Sequence, residues 1–159
     1  MQHVTISRIV FALIEWALRR PGAFPSACFY RQRERSGDRT PYLFRYYLLG
    51  KPDSRWFGVY LHHFVASDDE GYHDHPWPFV SILLQGGYAE DRPGDGVRRR
   101  SRRGSMIVRL PRAFHRIHDP EPGTFTLVIR GPRVRRWGFF PPGAKWEEGT
   151  SVAAPPEVR

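Results

Sequence analysis

The sequence predicts an all-β domain, a small barrel or sandwich of seven or eight short strands with one α-helix in front of it. Three observations predict it. From about residue 42 apolar and polar residues alternate in short runs, the period of strands that bury one face. Turn-forming clusters separate the runs: Gly50-Lys51-Pro52-Asp53, the stretch 67–71, Gly86-Gly87, the stretch 92–96, Pro120-Glu121-Pro122-Gly123 and Gly131-Pro132. Glycine and proline number fifteen each, while a hydrophobic fraction of 40% and an aromatic fraction of 14% supply a core, so the chain is turn-rich and globular rather than disordered.

The first element is the helix. Ile6, Ile9, Val10, Leu13 and Ala17 fall at helical spacing, with Phe11, Ile14 and Leu18 widening the apolar stripe. Thr5 or Ser7 supplies a cap and Pro21-Gly22 a stop. Glu15, Arg8 and Arg19-Arg20 interrupt or bound the stretch, which makes it too short and too charged to span a bilayer and gives it no small-residue cleavage site. The expected strands then run over 42–49, 56–64, 79–85, 97–103, 105–110, 115–118, 124–130 and 135–140. The tail with Ala153-Ala154-Pro155-Pro156 should fray. The organisation expected is a helix at 1–22, a barrel at 40–148 and a flexible tail at 149–159.

Formal net charge is +9, from 25 Lys and Arg against 16 Asp and Glu, and Lys51 and Lys145 are the only lysines. Arginine suits bidentate recognition of carboxylate or phosphate, so a small anionic molecule is the expected partner. Charge alone also permits nucleic acid, with no motif to support it. The run Arg98-Arg99-Arg100-Ser101-Arg102-Arg103 reads as a solvated edge that resists aggregation. A single cysteine, Cys28, excludes an internal disulfide and suits a reducing cytoplasm. The apolar helix makes a homodimer compatible with the sequence.

The stretch that carries chemistry is Gly71-Tyr72-His73-Asp74-His75-Pro76-Trp77. Histidines two apart in an extended segment project to one side and can chelate one transition metal with a third donor from elsewhere. His115, in Pro111-Arg112-Ala113-Phe114-His115, is that donor candidate.

With Gly86 some ten residues past the histidine pair, and Gly104, Pro111 and His115 following in that order, residues 56–140 resemble the cupin family. Cupins are small jelly-roll barrels with a histidine pair in a first motif and one histidine in a second. The chain departs from that pattern in both motifs, the second having Pro111 to His115 one residue shorter than the common form and the glycine usually between them replaced. Ser67 stands where the first motif has a glycine, and Phe79 or Val80 stands where it has a glutamate ligand. The resemblance implies a three-histidine site of His73, His75 and His115 in a single cupin jelly roll. It is similar to the sites of iron(II) thiol and diketone dioxygenases, so Fe(II) is the expected metal, with Zn, Mn or Ni as alternatives. A metal-dependent isomerase or lyase on a small carbonyl or sugar-like substrate, and a non-catalytic ligand- or polyanion-binding cupin, are the other functions it admits.

Other residues are placed by parity. Tyr60, His62 and Phe64 share one strand face, and Leu61, His63 and Val65 the other. His62 is chosen as the inward histidine, a fourth ligand or proton shuttle, with Tyr60 as a second proton-moving candidate. Arg109 and Arg130 each end an apolar strand run and are candidates to hold the substrate, and Trp77 either walls the pocket or packs. Asp74, between the paired histidines, should face away from the metal and accept from a backbone amide or an arginine. His118, three residues past His115, should point away from the site.

Overall fold

The computed structural model describes residues 12, 16, 26–32, 39–50, 55–68, 71–140 and 147–148. The expected helix lies outside them except for Ala12 and Trp16, both helical in backbone. The expected flexible tail lies outside them as well.

Twelve strands are formed by these residues: β1 Ser26–Gln32, β2 Arg39–Leu49, β3 Gly58–Phe64, β4 Tyr72–His73, β5 Phe79–Gln85, β6 Gly87–Asp91, β7 Arg99–Arg102, β8 Met106–Arg109, β9 Arg116–His118, β10 Thr124–Arg130, β11 Gly138–Phe140 and β12 Glu147–Glu148. They make a six-stranded sheet in the order β1-β2-β3-β10-β5-β8 and two three-stranded sheets, β12-β11-β4 and β7-β6-β9. All named pairings are antiparallel. A bridge between His73 and His115 joins the two small sheets, with each residue's amide donating to the other's carbonyl at 3.0 Å. The joined small sheets face the large one: Leu43, Phe64 and Leu83 from the large sheet pack with Tyr88 of β6 and Ile117 of β9 in one buried cluster. A second cluster, Tyr47, Tyr60, Phe79 and Val128 with Trp77 against it, fills the interior beside the histidines.

Eight of these strands follow the alternation of the sequence, β5 and β10 over the expected residues and the others within about three of them. Four strands were not anticipated. β1 lies before the stretch expected to hold the barrel, and its pairing with β2 is a long-range contact that no local pattern announces. β4 and β12 are two residues each. β6, Gly-Tyr-Ala-Glu-Asp, carries residues of poor strand propensity, and position between β7 and β9 overrides them.

The turn at Gly86 shows what fixes the β5–β6 corner. Its φ is +66°, and a Cβ there would meet Thr124 Oγ1 at 2.3 Å. Thr124 is fully buried, its hydroxyl accepting from Gly87 N at 3.1 Å and donating to carbonyls of Gly87 and Glu121. Gly86→Ala therefore combines left-handed backbone strain with a clash against a group that cannot move cheaply. A loss of about 2–3 kcal/mol is expected, measured as a lower urea midpoint at unchanged m-value.

Candidate metal centre

Three elements bring the histidines together. His73 ends β4, His75 lies two residues on before Pro76 leads into the turn to β5, and His115 precedes β9. The His73–His115 bridge holds two of the backbones side by side. Asp74, between the paired histidines, is fully buried. Its Oδ1 accepts from Gly138 N at 3.0 Å and its Oδ2 meets the Arg135 guanidinium. This contact with a backbone amide and an arginine turns Asp74 away from the imidazoles and fixes the segment that carries them.

Ring nitrogens of His73, His75 and His115 all lie within 4.8 Å of one another. His75 Nε2 and His115 Nε2 are 2.9 Å apart, the separation that two metal–nitrogen bonds of ~2.0–2.1 Å subtend at about 90°. Ring centroids are 5.1 Å apart for His73 and His75, 4.7 Å for His73 and His115, and 5.1 Å for His75 and His115. Burial pushes His75 well below the usual imidazole pKa, with the neighbouring imidazoles adding to it. Burial also lowers His115, against an opposing hydrogen bond from Glu90. Neutral imidazoles are the form that ligates, so donor type, convergence and ionisation all fit a divalent transition metal.

Two buried carboxylates stand behind this trio, and neither was anticipated. Asp68, 3% exposed, places Oδ2 2.7 Å from His73 Nδ1. Glu90, 5% exposed, places Oε2 3.3 Å from His115 Nδ1, and its other oxygen accepts from Arg109. Burial works to raise the Glu90 carboxyl, but contacts with His115 and Arg109 outweigh it and hold it below the usual range. Asp68 sits in a turn cluster and Glu90 in the strand that propensity disfavours. The only signal available in the sequence was an acidic residue in each of two segments that otherwise read as loop.

The remaining candidates occupy other positions. His62 is inward and buried as parity required, but its Nε2 accepts from Arg45 Nε at 2.8 Å and it stands outside the trio. Burial, reinforced by Arg45, lowers its pKa well below the ordinary value. Tyr60 is 1% exposed, and its hydroxyl accepts from Arg130 Nε. Arg130, equally buried, lies over the Trp77 ring at 4.5 Å and the Tyr60 ring at 5.5 Å. Trp77 thus packs and holds a guanidinium at once. Phe79, at a position where a glutamate was expected, contacts His75 edge to face at 4.7 Å and seals the trio from that side. His118 is buried on Asp91, 3.1 Å away, apart from the site. Arg98, Arg99 and Arg100 each pair with a carboxylate, Asp119, Asp95 and Glu121 respectively. That local neutralisation fits a solvated edge.

Antiparallel strands in two facing layers, with the histidines between them, recur in solved structures. The structure matches DMSP lyase DddQ from Ruegeria pomeroyi DSS-3 at TM-score 0.54 and 16% identity, covering 74% of this chain and 64% of the lyase. It matches a candidate mannose-6-phosphate isomerase from Ralstonia eutropha JMP134 at TM-score 0.50 and 18% identity, covering 58% and 87%. A RmlC-like cupin from the same Ralstonia strain aligns at TM-score 0.49 and 12% identity, over 76% and 74%. The chain shares the jelly-roll fold of the lyase and of the isomerase-like protein. The chain spans less than two thirds of the length of the lyase. No protein-family model and no curated protein matches its sequence. Among the described residues no helix is long and apolar enough to cross a membrane.

Proposed function

We propose that this cupin is a metal-dependent enzyme acting on a small anionic molecule, with His73, His75 and His115 as its metal ligands. The convergence of three ring nitrogens within 4.8 Å, with burial lowering the pKa of His75 and His115, carries this reading. Three neutral donors leave coordination positions open, which a metal catalyst needs. Fe(II) is the metal of choice, in an enzyme of the dioxygenase type, because three histidines without a carboxylate ligand resemble the sites of iron(II) thiol and diketone dioxygenases, although the same donor set also suits zinc. When bound, the metal supplies Lewis acidity and a redox centre.

The chain's own residues do the rest. Phe79 and the Tyr47–Tyr60–Val128 cluster keep water from one side of the trio. Arg130 is the anion-holding candidate at the barrel interior, steadied by Trp77 and Tyr60. A reducing cytoplasm, suggested by the single cysteine, would keep the metal ferrous.

One observation favours the second reading, a metal-dependent lyase or isomerase. The guanidinium of Arg130 donates to the Tyr60 hydroxyl oxygen, a contact that fixes the hydroxyl in place and leaves its own O–H to be passed to a substrate. The two readings separate in one experiment. Turnover of a candidate anion by Fe(II)-loaded protein should consume dioxygen in proportion to product and stop under argon. Equal turnover with Mn(II) or Ni(II) under argon would replace the dioxygenase by the lyase or isomerase.

A further inference from the structure

The absence of a glutamate at 79 or 80 and the presence of two carboxylates behind the imidazoles belong together. His73 Nδ1 faces Asp68 at 2.7 Å, and His115 Nδ1 faces Glu90 at 3.3 Å. Both carboxylates are almost wholly buried. They come from different elements, Asp68 from the turn after β3 and Glu90 from β6, so no single local feature explains the coincidence. Each is anchored from behind. Asp68 N donates to Ile117 O at 2.9 Å, and Arg109, with a side chain 11% exposed, binds Glu90.

Resting on the metal reading above, we propose that Asp68 and Glu90 are positioning residues for the metal, and that Arg109 acts through Glu90 rather than on substrate. A carboxylate at Nδ1 holds the proton there, so Nε2 carries the lone pair that faces the other histidines. It also makes the imidazole a stronger donor. The negative charge that a glutamate ligand would place on the metal is placed one residue further out, on two of the three imidazoles. A metal held by the three histidines would then have no carboxylate of Asp68 or Glu90 in a position that a substrate would need.

The test uses the full chain at fixed pH, with Zn(II) titrated in competition with a chromophoric chelator. Asp68→Asn and Glu90→Gln should each weaken Zn(II) binding about 10–100-fold. Arg109→Leu should weaken it less, and the double variant Glu90→Gln/Arg109→Leu should bind no more weakly than Glu90→Gln alone. Asp91→Asn is the control: this carboxylate neighbours Glu90 on β6 but serves Arg116 and His118, and its variant should bind like wild type. The visible spectrum of the Co(II) form, which a purely structural role would leave alone, should shift in the Asp68 and Glu90 variants. The isosteric amides limit unfolding, and circular dichroism confirms it. Wild-type binding with undiminished affinity in both amide variants overturns this proposal alone, whereas no binding by wild type overturns the metal reading and the proposal with it.

Discussion

Protein purified without a histidine tag and loaded with Fe(II) or Zn(II) should hold close to one metal equivalent per chain, and His75→Ala should hold less than about a tenth of that. His75 Nε2 lies 2.9 Å from His115 Nε2, so alanine there removes one of three donors and leaves only two. His73→Ala and His115→Ala should act similarly. His118→Ala is the discriminating comparison, because His118 is equally a histidine of β9's neighbourhood and equally buried, yet bonds Asp91 outside the trio. Elemental analysis of the four variants decides the matter. Retained metal in all three of the first group would sink the site. The backbone bridge between His73 and His115 does not use the side chains, so these losses should appear in folded protein.

Asp74→Ala should be the most destabilising single change near the site. Its carboxylate has no exposure, accepts from the Gly138 amide and meets an Arg135 side chain that is itself 20% exposed. Alanine leaves a largely buried guanidinium and a buried amide without this partner. Breaking a buried pair from one side costs about 3–5 kcal/mol, which corresponds to a fall in melting temperature of roughly 6–20 °C for a chain of this size. Thermal unfolding of apo protein measures it free of metal linkage. A fall of under two degrees would show that Asp74 contributes little to the corner. Asp74→Asn should lie between, since its amide oxygen still accepts from Gly138.

How much of this was legible beforehand follows from what each residue answers to. Strands β5 and β10 were visible because both are interior strands of the large sheet, where burial of one face imposes alternation, regular along most of β5 and broken in β10 where Phe125 is also buried. The inward placement of Tyr60, His62 and Phe64 follows from the same period and is met by their burial. The histidine trio was legible because metal-ligand spacing is a local signature for two members and a motif position for the third. Asp68 and Glu90 were not, because a carboxylate that supports an imidazole has no required distance along the chain. Glu90 is 25 residues from its histidine. Arg45 escaped for the same reason: its contact with His62 arises from the register of β2 on β3.

By itself, then, the sequence determined the class of the fold, the face of each central strand and the three imidazoles, since these depend on periodicity and on chemistry confined to short segments. Only the tertiary structure decided which charged groups surround the imidazoles and which way their nitrogens face. Pairing across layers brings together residues far apart in the chain, and burial then selects among them by requiring each buried charge to find a partner.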